Sequence, residues 1–268
     1  MAETGVVNAP AKAAVPRRRP AVAVAVLRLA TVAAVLVGWE ALARSGLLYQ
    51  DVVPPLAAIG RALRELLTTP DAGGLPAFYR HLAVTAGEIA LALATGGVSG
   101  LVAGMVLGGS RLLGKSFEPW LHYLGPTPKI IFFPVMIMWF GVGPPSKVAM
   151  GAISCFFPIA LSAASGMRGI ADVLIRVGRS FRAGTWQMAT KIYLPAMREP
   201  VVNGLRLGLG VAVIGTLLAE TKLSNQGIGF LIIQAYSVFD MPRMYAMLIV
   251  LFVLATGANA VIGRLGRR

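Results

Sequence analysis

Cysteine and histidine are nearly absent from this chain of 268 residues, which contains one cysteine and two histidines. Cys155 therefore has no partner for an internal disulfide, and a metal site built on cysteines is disfavoured. His81 and His122 lie in unrelated segments, and the sequence shows no Ser/His/Asp arrangement and no closely spaced pair of carboxylates. These absences argue against catalysis by this chain alone.

Charged residues are also scarce, at 13% of the chain against 56% apolar residues, and the mean hydropathy is +0.73. A soluble domain of this length needs more polar surface than that. The formal net charge of +14 raises the question of nucleic acid, but the basic residues cluster beside apolar runs rather than among exposed aromatics. The composition therefore predicts an integral membrane protein.

The chain is rich in long apolar runs. A run of about 20 apolar residues crosses the roughly 30 Å of bilayer hydrocarbon as a helix. We predict an all-α fold with six spans, at residues 22–43, 82–109, 120–141, 147–166, 201–220 and 244–263. Pro126, Pro128 and Pro134 predict a kink or an early end in the third span. Residues 1–20, rich in Ala and Pro, are expected to form a disordered tail before a membrane domain at 21–268.

The distribution of Lys and Arg predicts the orientation of the chain. With the N-terminus in the cytoplasm, 15 basic residues lie in the tail, the cytoplasmic connectors and the C-terminus, and 7 lie outside. Cytoplasmic segments of membrane proteins carry such an excess. We therefore expect both termini, and the polar interval 167–200, in the cytoplasm.

One segment matches a nucleotide-binding pattern. Residues 109–116 read Gly-Ser-Arg-Leu-Leu-Gly-Lys-Ser, which fits the P-loop formula. That site requires a strand before the glycines and an acidic magnesium ligand in an α/β domain, and the surrounding apolar spans provide neither. We interpret the segment as a short cytoplasmic connector.

The interval 167–200 is cationic and suits one or two short helices between Asp172 and Thr190. Ala183 and Gly184 predict a break between them, and Pro195 with Pro200 predicts the end of the segment. Because such a segment cannot lie in lipid, it must face water, where another protein can bind it.

Two runs in this interval, Arg176 to Gln187 and Lys191 to Ala196, resemble the coupling-helix (EAA) loop of permease subunits in binding-protein-dependent ABC importers. The resemblance to the taurine, alkanesulfonate and nitrate type continues at residues 126–147, 156–159, 204–210, 219–220 and 225–232. In order along the chain, it covers about residues 50 to 250. It implies a type I importer permease (MetI-like) architecture and a translocation pathway for a small polar or anionic solute.

The resemblance also implies the partners and the coupling residues. A permease of this kind works in a bacterial inner membrane with two cytoplasmic ATPase subunits, a second permease subunit and an extracytoplasmic substrate-binding protein. ATP and magnesium are bound by the ATPases, so we expect no cofactor and no metal in this chain. The residues expected to contact the ATPase are Arg176, Val177, Gly178, Phe181, Arg182, Ala183, Gly184, Thr185, Trp186, Leu194 and Pro195.

Three positions depart from the family pattern. The chain carries Arg-Val-Gly at 176–178 where Glu-Ala-Ala is usual, Arg182 where Gly is usual, and Glu88 where Arg is common. The reversed charge at position 176 leaves two alternatives open. Either a second, more regular permease subunit does most of the coupling in a heterodimer, or the shape of the loop suffices in a homodimer.

Ionisable residues inside spans are costly and are treated as functional candidates. Glu88, Arg206 and Glu220 are the candidate pathway residues. Glu88 and Arg206 either form a buried pair or lie separately along the pathway, and Glu220 is either a gate or a helix-terminal carboxylate in water. For Lys129 and Arg28, extension to the cytoplasmic headgroups is favoured over contact with a substrate.

Glycines recur every fourth residue, at Gly96, Gly100, Gly104 and Gly108 and again at Gly204 and Gly208. Such stripes allow close helix packing in lipid, and small side chains also permit helices to slide. The rival to an ATP-driven importer is an ion-driven secondary transporter, which predicts an internal repeat and midplane carboxylates. No clear repeat is visible in the sequence. A membrane-embedded enzyme is disfavoured by the missing catalytic cluster.

Overall fold

A computed structural model of the chain describes residues 21–47, 52–70, 76–222 and 224–265, and the regular structure in these ranges is helical. The predicted disordered tail at residues 1–20 lies outside the described residues. The chain consists of two compact units, Met1–Leu56 and Ala57–Arg268.

The first unit contains helix α1, Ala21–Arg44. Its apolar side chains are exposed along nearly the whole helix, as expected for a surface that faces lipid. Near its end, the Trp39 indole donates a hydrogen bond to the Pro54 carbonyl at 3.0 Å, and the Leu56 amide donates to the Glu40 carboxylate at 2.9 Å. These bonds hold Pro54 and Leu56 against the end of α1.

The remaining helices are α2 (Leu56–Thr68), α3 (Ala77–Gly109), α4 (Arg111–Leu124), α5 (Phe133–Phe140), α6 (Pro144–Arg168), α7 (Asp172–Ser180), α8 (Thr185–Met188), α9 (Leu194–Ala196), α10 (Arg198–Lys222), α11 (Ile228–Ser237) and α12 (Met241–Leu265). A 3₁₀ turn at Lys129–Phe132 precedes α5, and a π-helical turn at Ala189–Tyr193 joins α8 to α9.

Among the described residues, α1, α3, α6, α10 and α12 are long and apolar enough to cross a membrane. A sixth span is obtained if α4 and the segment Lys129–Phe140 are counted as one, bent by 93°. Five of the six predicted spans and the break in the third are therefore confirmed. The third corresponds to this bent pair, which begins at Arg111 rather than at residue 120. The bend follows Gly125, where Pro126 and Pro128 cannot donate the backbone hydrogen bonds that would continue the helix.

The core forms where α3 and α10 pack against α6, and the glycine stripes lie at these contacts. A Cβ atom added at Gly100 would lie 2.7 Å from the Phe156 carbonyl oxygen, and one added at Gly208 would lie 2.6 Å from Ile159 Cδ1. Only glycine permits this approach of the helices. The packing interpretation of the stripes is confirmed.

The P-loop-like segment is helical. Gly109 is the last residue of α3, and the Ser110 hydroxyl caps α4 by accepting a hydrogen bond from the Leu113 amide at 3.4 Å. A helix, not a strand, precedes the glycines, contrary to what a P-loop requires. The connector is shorter than predicted, because residues 111–116 already belong to α4.

Two helices were not predicted from the sequence. The 13-residue α2 is amphipathic and packs Leu66 against Phe78 and Met247, while the 10-residue α11 contributes Ile228 and Ala235 to the same cluster. Both are shorter than a membrane span, which is why hydropathy alone missed them.

Candidate functional site

The segment between α6 and α10 folds as a compact projection of short helices. We call residues Asp172–Ala196, which form α7, α8, the π-helical turn and α9, the coupling knob. Phe181 is 81% exposed and Trp186 is 78% exposed, so both aromatic side chains project into the surroundings. On the inner side, Gly178 is buried against α8, where an added Cβ would lie 2.5 Å from Met188 Sδ. The knob thus has a packed inner face and an exposed apolar outer face.

The turn between α7 and α8 shows the conformational cost of Arg182. The amides of Phe181, Arg182 and Ala183 donate to carbonyls of α7 at 2.9 to 3.2 Å, which closes the helix tightly. Arg182 takes a φ of 52° in this turn. That left-handed conformation costs a residue with a side chain about 1–2 kcal/mol relative to glycine. The glycine usual at this position in the family is therefore the unstrained residue, and Arg182 carries strain.

The predicted coupling residues occupy both faces of the knob. The predicted break at Ala183 and Gly184 is confirmed, since α7 ends before it and α8 begins after it. Pro195 does not end the segment, because it is the second residue of the short helix α9, and Pro200 lies inside the first turn of α10. The exposed members are Arg176, Val177, Phe181, Arg182, Gly184, Thr185, Trp186 and Pro195, the partly buried ones are Ala183 and Leu194, and Gly178 is buried.

A second group of polar residues is buried near the other end of α10. Glu220 is 1% exposed. Its carboxylate accepts hydrogen bonds from the Thr85 hydroxyl at 2.7 Å and from the Gly229 amide at 2.6 Å, and Thr85 Oγ1 in turn accepts from the Ile228 amide at 2.7 Å. Glu220 therefore ties α10 to α3 and to the start of α11. The alternative of a helix-terminal carboxylate in water is wrong.

Glu88 belongs to the same buried group. It is 3% exposed, and its Oε1 lies 3.4 Å from Nζ of Lys147, in the first turn of α6. Lys147 also donates to the Ser224 hydroxyl at 2.6 Å. Within the described ranges no hydrogen bond reaches either oxygen of Glu88, and the Glu220 carboxyl acts on it electrostatically. We call Thr85, Glu88, Lys147 and Glu220 the buried polar cluster; Ser224, which is only partly buried, lies at its edge.

The pair of Glu88 with Arg206, left open by the sequence, does not form. Arg206 is exposed, and its Nε donates to Asn259 Oδ1 on α12 at 2.8 Å. The partner that sequence reasoning missed is Lys147. Its one signal was its position at the head of a span, next to an apolar run that carries no acidic residue.

Metal ligation has no geometric support in the part of the chain that is described, because no three His, Cys, Asp or Glu side chains converge there. The coupling knob offers exposed aromatic and basic groups, and the buried polar cluster links α3, α6, α10 and the start of α11.

Comparison with known proteins identifies similar chains. Residues 96–268 match the family described as the binding-protein-dependent transport system inner membrane component. The chain is 29% identical over 245 residues to the taurine transport system permease protein TauC of Escherichia coli K12, covering 89% of this chain and 88% of that one. It is 27% identical over 236 residues to the putative aliphatic sulfonates transport permease protein SsuC of Bacillus subtilis, covering 88% and 83%. The chain is also 27% identical over 203 residues to the nitrate import permease protein NrtB of Synechococcus elongatus, covering 74% of this chain and 72% of that one.

Proposed function

Because this chain belongs to the family of binding-protein-dependent transport system inner membrane components, we propose that its coupling knob is the surface through which an ATPase drives it. The chain is the permease subunit of an ABC importer. A permease of this family works with an ATPase and a substrate-binding protein. The family membership favours the ATP-driven importer over the ion-driven alternative.

The observation that carries the coupling proposal is the exposure of Phe181 and Trp186 on adjacent parts of one knob. Large exposed aromatics next to arginines are typical of the residues that dominate protein–protein binding. Arg176 and Arg182, exposed on the same knob, provide the charged contacts. This composition fits a partner cleft with an apolar floor and acidic walls.

A movement of the knob can be transmitted along α10 to its opposite end, because the two are joined directly in the chain. The knob leads through α9 into α10, whose 25 residues span about 37 Å at 1.5 Å per residue. Near the far end, Glu220 is bonded to Thr85 on α3 and to Gly229 on α11. We infer that the buried polar cluster closes the outer end of the permease. Glu88 and Glu220 are too deeply buried to contact a passing solute in this conformation.

The orientation and partners follow from the same account. The excess of Lys and Arg supports a cytoplasmic location for the coupling knob and both termini in a bacterial inner membrane. Two ATPase subunits there bind ATP and magnesium, and a binding protein delivers solute on the other side. A second permease subunit, either a copy of this chain or a paralogue, completes the pathway. The relatives named for taurine, sulfonates and nitrate favour a small anionic solute.

The test is purification of the chain from its native operon in a mild detergent, followed by mass spectrometry and reconstitution into liposomes. The account predicts co-purification of an ATPase, and uptake that requires both ATP and the binding protein. Recovery of this chain alone, with uptake driven by an ion gradient, would contradict it.

A further inference from the structure

A cavity of about 590 Å³ lies beside the break between α4 and α5, with α6 and α10 forming its other walls. Most of its lining is apolar, including Phe157, Ile214 and Leu218. The polar side chains that line it are those of His122, Lys129 and Ser154. We call this space the bend cavity.

Lys129 lines this cavity next to Phe157. Its Nζ is 5.0 Å from the centroid of the Phe157 ring and donates to the carbonyls of Gly125 and Thr127. Phe157 is about 20 Å along α6 from Pro144 and about 16 Å from the other end, at 1.5 Å per residue. The ammonium of Lys129 therefore lies beside the middle of a spanning helix, which favours a position within the protein over extension to the headgroups.

The charge of Lys129 is not balanced by an acidic side chain. Lys147 pairs with Glu88, and Arg168 pairs with Glu118 at 2.7 Å. By contrast, no carboxylate lines the bend cavity, and the ion pairs found among the described residues do not include Lys129. A lone cation in apolar surroundings is costly, and intramembrane ionisable groups face water-filled paths or partners rather than lipid.

We propose that the bend cavity is an anion-binding station on the translocation pathway and that Lys129 is its positive group. An ammonium has three N–H donors, and two of them are engaged by the carbonyls of Gly125 and Thr127. The third remains for an oxygen of the solute, while Phe157 and Ile214 contact its apolar body. The site takes a small oxyanion such as an organic sulfonate. The inference rests on the proposed importer function and names where that importer holds its solute.

A purely structural role for Lys129 is the competing explanation. Gly125 and Thr127 lie where α4 breaks, and their carbonyls have lost the partners that a continuous helix would supply. Capping alone requires a donor at Lys129, but it does not require a water-filled, positively charged cavity. The two explanations therefore differ in the reactivity and electrostatic potential that they predict for the cavity wall.

The test places a cysteine on that wall in the full complex, reconstituted in lipid nanodiscs. Ile214 lines the cavity and is 58% exposed, so Ile214→Cys presents a thiol to it. Cys155 is fully buried, so the unmodified chain provides the blank. Modification rates are measured with an anionic methanethiosulfonate (MTSES) and a cationic one (MTSET), each normalised to its rate with a free thiol. Leu207→Cys, exposed on the same helix outside the cavity lining, is the control position.

A positive cavity predicts that MTSES is favoured over MTSET at Ile214→Cys. Adding Lys129→Gln should lower the ratio of the MTSES rate to the MTSET rate about tenfold or more, because the charge of a cavity-lining lysine is only weakly screened in a protein interior. Lys129→Arg should preserve the ratio. Methanesulfonate should slow modification, while its neutral isostere dimethyl sulfone should not, and neither compound should affect Leu207→Cys.

Three results would overturn the inference. Ile214→Cys could react with neither reagent, which would place the wall against lipid or the second permease. The ratio could be unchanged by Lys129→Gln. Methanesulfonate and dimethyl sulfone could protect equally in the chain with Lys129 intact, a comparison that does not depend on folding of the Lys129→Gln variant. ATP-driven uptake by the unmodified complex is measured separately, so a failed importer is distinguished from a failed anion site.

Discussion

The Lys147 ammonium lies 3.4 Å from the Glu88 carboxylate, and both side chains are at least 96% buried. The relationship accounts for a carboxylate in the interior of a membrane span, where an unpaired charge is costly. Lys147 neutralises Glu88, while Glu220 is held by Thr85 and the Gly229 amide. The buried Glu88 is thus accommodated by Lys147, which lies 59 residues later in the sequence.

Removing one member of this pair should leave an uncompensated buried charge. Lys147→Met is expected to lower the free energy of unfolding by roughly 3–5 kcal/mol, the usual cost of breaking a buried pair. Pairing it with Glu88→Gln should restore most of the loss, because no charge is then stranded. The measurement is thermal unfolding in detergent, with the exposed Lys191→Met as control. Equal melting temperatures for Lys147→Met and the control would refute the pairing account.

Close packing of α3 on α6 predicts a steep cost for the smallest enlargement. Gly100→Ala places a Cβ 2.7 Å from the Phe156 carbonyl oxygen, so the helices must move apart at a cost of roughly 1–3 kcal/mol. Gly87→Ala meets nothing within 4 Å on the same helix and should be neutral or stabilising by up to about 1 kcal/mol. Unfolding in detergent compares the two. Similar stability of both variants would mean that the glycine stripe does not set the packing.

The strained turn of the coupling knob predicts a stabilising substitution. Arg182→Gly should stabilise the knob by about 1 kcal/mol, because the φ of 52° is unstrained only for glycine. Arg179→Gly, inside α7, should destabilise it by about 1 kcal/mol. Hydrogen exchange of the knob amides measures both effects. Faster exchange in Arg182→Gly would show that the arginine side chain makes contacts that outweigh the strain.

The exposed aromatics predict a loss of coupling without a loss of stability. Phe181→Ala and Trp186→Ala should each reduce ATP-driven uptake in proteoliposomes about tenfold or more, as expected for central interface aromatics. Unfolding free energy should change by no more than about 0.5 kcal/mol, because both are surface positions. Val238→Ala, 71% exposed outside the knob, is the control. Normal uptake by both aromatic variants would remove them from the interface.

The spans could be predicted from the sequence because each needs only enough consecutive apolar residues to cross the bilayer. The break after Gly125 was predicted as well, since Pro126 and Pro128 remove backbone donors wherever they occur. The angle of 93° was not predictable, because it depends on how α4 and α5 each pack on their neighbours. The amphipathic α2 was missed because it is shorter than a membrane span and its apolar residues cover one face only.

The exposed face of the coupling knob was largely predictable, because the motif keeps its functional residues close in sequence. The buried polar cluster was not. Glu88 and Lys147 come from different helices, and a hydropathy pattern does not say which faces of two spans meet. The contacts of Lys129 were not predictable for a related reason, because the break after Gly125 decides which part of α6 its ammonium approaches.

The most direct test of the central claim, that an ATPase drives this permease through the coupling knob, is site-specific photocrosslinking in the membrane. Trp186 is replaced by p-benzoylphenylalanine in the complex expressed from its operon, and Val238 is replaced in the same way as control. The account predicts a covalent adduct with the ATPase subunit from position 186, altered in yield when ATP is added, and no such adduct from position 238. Absence of the adduct at 186, with uptake retained, would contradict it.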